Sequence, residues 1–101
     1  MFYLPIDEAV ETIDREQLTN LDFIHDDVLA HDTDQQKRRR ADADRAVLLT
    51  NTNHTKTTIF FRAADGHTKR VRAMVLTAHA QYLTLKGDIN LPLRAVLGFE
   101  F

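Results

Sequence analysis

The spacing of apolar residues changes once along this 101-residue chain, near its midpoint. Upstream, Val10, Ile13, Leu18, Leu21, Ile24 and Val28 recur every three to five positions, as one buried helical stripe requires. Downstream of residue 56 the period falls to two, in β-branched and aromatic segments punctuated by Gly-containing turns. A chain with both periods in separate halves suits neither an all-helical nor an all-strand fold, so the expected class is α+β. At this length it forms one domain: a helical, acidic part over 1–49, a loop over 50–56 and an antiparallel barrel over 57–101.

In the helical half, Asp7, Glu8 and Glu11 would sit near a helix N-terminus, where the backbone dipole favours carboxylates. Thr19 followed by Asp22 is an N-cap signal that would divide the stripe into two short helices. Thr33-Asp34-Gln35-Gln36 reads as a capping box that starts the next helix, uninterrupted by Gly or Pro from Gln35 to about Leu49. Val47-Leu48-Leu49-Thr50 fits either the end of that helix or a strand folding back across the polar stretch 50–55.

The other half predicts five strands. Thr57-Thr58-Ile59-Phe60-Phe61-Arg62 runs to a turn at Asp65-Gly66. Beyond it Val71, Ala73 and Val75 face inward, and Arg70 and Arg72 face solvent. Met74-Val75-Leu76 is apolar on both faces, which fits a strand bending from one sheet into another. Gln81-Tyr82-Leu83-Thr84-Leu85 alternates up to Lys86-Gly87-Asp88, and two further alternating segments cover 89–94 and 95–101. Five strands with short connections predict a small five-stranded antiparallel barrel. Its Pro92 strand is short or at an edge, because proline has no N–H to donate.

Composition removes several chemistries. With no Cys and no Ser, the chain has no disulfide, no thiolate metal site, no cysteine nucleophile and no Ser-His-Asp hydrolase machinery. Three glycines form no phosphate loop and no two carboxylates stand out as an acid/base pair, so no catalytic residue and no cofactor is assigned. His25, Asp26, Asp27, His31 and Asp32 cluster, but the six-residue step between the histidines does not put both on one helix face, and no metal site is assigned. No apolar run reaches the ~18 residues of a membrane span. The first residues lack the basic and apolar regions of a signal peptide, so a cytoplasmic protein without a membrane partner is expected.

The net charge of −2 hides a division. Twelve acids against six bases leave −6 in residues 1–46, and seven bases against three acids leave +4 in residues 47–101. Each half therefore projects its own field toward a partner.

The order helix, Ile59-Phe60-Phe61, Asp65-Gly66, a long strand over 71–76, Gln81-Tyr82-Leu83-Thr84-Leu85 and Ile89-Asn90-Leu91-Pro92-Leu93-Arg94 resembles an Sm-like or SH3-like barrel. Within that group, Tyr3-Leu4-Pro5-Ile6-Asp7 and Tyr82-Leu83-Thr84-Leu85 are similar to segments of the small bacterial Rho-binding antitermination proteins, the Rof family. The resemblance lies mainly in residues 57–101. It implies a non-enzymatic regulator that covers an RNA-binding surface on a termination factor. This chain lacks the Cys that follows the family's opening segment, and has Ala78 and Tyr82 where RNA-binding Sm proteins have Asp and Asn.

Three sets of residues could carry binding. Arg70, Arg72, Lys86 and Arg94, with Tyr82 as a stacking surface, could hold single-stranded RNA. Lys37, Arg38, Arg39 and Arg40 could contact phosphates, although Arg38 and Arg40 also have acids at i,i+4. Asp7, Glu8 and Glu11 open an acidic stretch, running to Asp34, that could mimic a phosphate backbone on a basic partner protein. The expected function is a regulatory module docking on a transcription-termination or RNA-handling protein. The alternatives are direct RNA binding and a homo-oligomer built by pairing edge strands.

Overall fold

The structure is a computed structural model in which residues 10–101 are described. Glu11–Ile13 form strand β1, and Arg15–Asn20 a 3-10 helix. An irregular segment leads to helix α1, Thr33–Asn53. Then come β2 (Thr57–Arg62), β3 (Thr68–Ala73), β4 (Val75–Ala78), β5 (Tyr82–Leu85), β6 (Ile89–Pro92), a 3-10 turn at Leu93–Ala95, and β7 (Val96–Glu100). The strands make a four-stranded sheet in the order β1-β3-β2-β7 and a three-stranded sheet in the order β4-β5-β6.

This α+β arrangement corrects the expectation of N-terminal helices followed by a five-stranded barrel. There are seven strands in two sheets among the described residues. Met74 separates β3 from β4, so what the sequence presents as one bent strand contributes to both sheets. The Leu93–Ala95 turn stands between β6 and β7, which pair with β5 and β2 respectively and not with each other. The addition of β1, parallel to β3 with Thr12 opposite Arg70, was outside the alternating pattern altogether.

The stripe over 10–28 is the second correction: it forms no α-helix. Ile13 and Leu18 are buried and Leu21, Phe23 and Ile24 pack against the core, but from a strand, a 3-10 helix and a draped segment. Tertiary hydrogen bonds replace the helical ladder there. The Ala64 N–H donates to the Asp22 carbonyl at 2.8 Å, and the Val28 N–H to the Arg94 carbonyl at 2.8 Å. Backbone groups satisfied in this way need no helix, and three-to-five spacing serves an irregular segment lying across a sheet equally well.

The cap of α1 lies one residue ahead of the predicted box, at Asp32 rather than Thr33. Its Oδ1 accepts the Gln35 N–H at 3.0 Å. The helix continues through 47–50 and on to Asn53, ending at His54 in the left-handed conformation (φ 53°). The strand alternative for 47–50 is thereby excluded, and the loop contracts to 54–56.

The core lies between the two sheets and α1. Ile59, Phe61, Val71, Leu83, Leu85, Leu91 and Val96 are fully buried, closed on one side by Ala43 and Ala46 of α1. Each such large apolar side chain contributes about 1.5–3 kcal/mol by leaving water. No helix among the described residues is long and apolar enough to cross a membrane.

Candidate functional site

The basic run of α1 is dispersed by helical geometry, at about 100° per residue. Lys37 and Arg38 stay exposed, and Arg38 pairs with Asp42 at 3.7 Å. Arg39 points inward, with 6% of its side chain exposed. It grips Asp27 with both ends of its guanidinium, at 2.9 and 2.8 Å, and Nη1 also donates to the Val96 carbonyl at 3.1 Å. Arg40 bonds Asp44 at 2.7 Å and donates to the His79 carbonyl at 2.8 Å. The run is therefore no single phosphate-binding patch. Arg39 is structural, and Arg40 ties the helix to the turn between β4 and β5.

Burial works against the Asp27 carboxylate, but the Arg39 hydrogen bonds, the Leu29 N–H and the guanidinium charge outweigh it and hold its pKa below the ordinary 3.8. This ion pair anchors an acid-rich segment. Asp22, Asp26, Asp32 and Asp34 are exposed along it. Its backbone is pinned by the bonds of Asp22 and Val28 described above, by Ile24 N–H to the Arg62 carbonyl at 3.4 Å, and by Arg94 Nε to the Ile24 carbonyl at 3.0 Å. Of the acids expected to open the docking stretch, Asp7 and Glu8 lie outside the described residues. Glu11 is on β1 rather than at a helix start, and binds Lys69 at 3.0 Å.

The expected RNA surface divides in two. Tyr82 and Lys86 flank opposite ends of β5, so the tyrosine is no stacking partner for that lysine. Tyr82 is 39% exposed and stacks on His79, with centroids 4.3 Å apart, at the end of the sheet where Arg94 also sits. Arg70 is exposed on β3 and donates through Nε to Thr12 Oγ1 at 2.6 Å. Arg72 and Lys86 meet at the other end, in a cleft of about 380 Å³. Thr12, Ile13, Asp14, Arg15, Glu16, Lys56 and Met74 complete its lining.

Arg15 and Lys56 were not singled out by the sequence. For Lys56 a signal existed: the Asp65-Gly66 turn pairs Arg62 with Thr68 and Thr57 with Ala73, and one further step brings Lys56 beside Met74. For Arg15 there was none. It reaches the cleft because its guanidinium lies over the turn at Gly87, whose φ of 97° favours glycine and where an added Cβ would stand 3.8 Å from Arg15 Nε. Arg15 is engaged by Glu16 at 3.3 Å. A bond from Glu16's own backbone N–H, and then that of Arg15, lowers the Glu16 pKa below its ordinary value.

Two smaller clefts lie elsewhere on the surface. One, of about 220 Å³, lies among Asp27, Arg39, Gln81 and Arg94. The other, of about 280 Å³, lies beside Arg45, which covers the Phe101 ring at 4.3 Å. Among the described residues no three His, Asp or Glu side chains are grouped to hold a metal ion.

In comparisons with family models, curated proteins and solved structures, nothing matches this chain. The site is therefore read from its own chemistry.

Proposed function

We propose that the protein is a non-enzymatic regulatory binding module that docks on the nucleic-acid-binding surface of a transcription-termination or RNA-handling protein. The observation that carries this reading is the acid-rich segment leading into α1: exposed Asp22 and Asp26 are displayed on backbone held by the Arg39–Asp27 pair and four tertiary hydrogen bonds, and Asp32 and Asp34 are exposed at the start of the helix. A preorganised row of carboxylates loses little conformational entropy on binding. Its field complements a surface built to receive phosphates, which speeds encounter and excludes acidic partners. The resemblance to the Rof family supports the same partner class.

The test is capture from the native host with the tagged chain. The expected catch is an RNA-binding protein that single-stranded RNA displaces and that is lost with Asp22→Asn plus Asp26→Asn. An empty capture, or a catch indifferent both to RNA and to the two substitutions, overturns the reading.

A further inference from the structure

We propose that the cleft between β1, the end of β3 and the β5–β6 turn is a phosphate site, sized for a single nucleotide unit. The inference is independent of the docking surface, sharing no residue with it. Four cations line the cleft: Arg15, Lys56, Arg72 and Lys86. Against them stand two carboxylates, Asp14 and Glu16, which leaves an excess of two positive charges. Glu16 is committed to Arg15. Lys56, Arg72 and Lys86 are exposed, and among the described residues their side chains have no ion-pair or hydrogen-bond partner.

Three unpaired cations facing the single remaining carboxylate of Asp14 repel one another, and the walls concentrate their net positive field on whatever anion enters. The donor set selects among anions. A carboxylate has two oxygens and is satisfied by one arginine fork. A terminal phosphate brings three acceptor oxygens and roughly −1.5 to −2 of charge, which suits several converging bases. The volume of about 380 Å³ falls at the low end of small-ligand pockets, and is too small for a duplex. Ile13 and half-buried Met74 supply an apolar wall against which a sugar or base can lie.

A free nucleotide presents its phosphate as a terminal monoester and a single-stranded RNA as singly charged diesters, and one titration separates the two sources. Amide NMR spectra of the whole chain are followed with adenosine 5′-monophosphate, with adenosine, and with a heptauridylate, at low salt. The monophosphate is expected to give saturable shifts at residues 12–16, 56, 72 and 86, and adenosine none. Arg72→Gln and Lys86→Gln each weaken binding roughly tenfold, while Arg72→Lys keeps most of it, as loss of one charge-assisted contact requires. Lys37→Gln, on the exposed face of α1, leaves it unchanged. Tighter binding of the heptauridylate at the same amides assigns the site to RNA, and equal or weaker binding assigns it to the free nucleotide. The substituted side chains are exposed, so unaltered spectral dispersion verifies the fold. Absence of saturable shifts with both phosphate probes, equal binding of adenosine, or indifference to the combined Arg72→Gln and Lys86→Gln change overturns the proposal.

Discussion

Arg39 shows how far a residue's role can depart from its neighbours in sequence. In the run Lys37-Arg38-Arg39-Arg40 it looks like one of four equivalent surface charges, yet it is the one whose guanidinium is buried and doubly bonded to Asp27. Removing Asp27 leaves that charge without its counter-ion. Asp27→Ala is therefore expected to cost about 2–3 kcal/mol in urea unfolding, less than a fully buried pair because Asp27 keeps about a third of its side-chain surface exposed. Replacing Arg39 by Met, which removes the charge and keeps volume, should cost less than Asp27→Ala. The pH dependence follows from the lowered carboxyl of Asp27. The unfolded chain binds the proton more readily, so the pair's contribution is complete above the ordinary value near 3.8 and is lost as the pH falls through the lower folded value. Stability profiles of the parent and of Asp27→Ala should converge in acid; curves that stay parallel down to pH 2 would count against this account. The surface pair Arg38–Asp42, by contrast, contributes only a few tenths of a kcal/mol.

At the scale of elements, α1 protects an open sheet edge. Thr50 Oγ1 accepts the Val75 N–H at 3.2 Å and donates to the Thr55 carbonyl at 3.1 Å. At the other end of β4, Arg40 donates to the carbonyls of Ala78 at 3.4 Å and His79 at 2.8 Å. Covering an edge in this way withdraws its donors and acceptors from other chains. Thr50→Val retains the shape but leaves the buried Val75 N–H without an acceptor. A loss of about 1–2 kcal/mol is expected, with faster hydrogen exchange at Val75 as the local readout. At the C-terminus of α1, His54 holds a left-handed conformation that glycine adopts without penalty, so His54→Gly should raise stability by up to about 1 kcal/mol in the same assay. Helix type over 35–49 was legible because no Gly or Pro interrupts it. Its extension to Asn53 was not, because Thr50 earns its helical place through contacts with residues outside the helix.

For the molecule as a whole, two of the four sheet edges among the described residues, β4 and β6, are covered. α1 covers β4, and the Arg15–Asn20 3-10 helix packs beside β6, which also carries Pro92. We expect light scattering to give the mass of a single chain at micromolar concentration. A ring-sized particle would show that an edge of the larger sheet, β1 or β7, pairs between copies. The charge division is also visible at this scale: the acid-rich segment ahead of α1 and the cleft of Arg15, Lys56, Arg72 and Lys86 are separate surfaces. Of the cleft, Arg72 and Lys86 could be named in advance because turn and strand signals place them. Arg15 could not, since its position depends on β1 pairing with β3 across more than fifty residues of chain.

What the sequence determined by itself were the strand over 57–62, most of the strand read over 81–85, the inward faces of Val71, Ala73 and Val75, and the division of charge, all consequences of local period and composition. Tertiary structure alone decided that residues 11–20 become a strand and a 3-10 helix, that the strands sort into two sheets rather than one barrel, and which arginine is buried. The reason is physical: a hydrophobic period records that a side chain is covered, whereas the element that covers it, and the partner that satisfies its backbone, come from elsewhere in the chain.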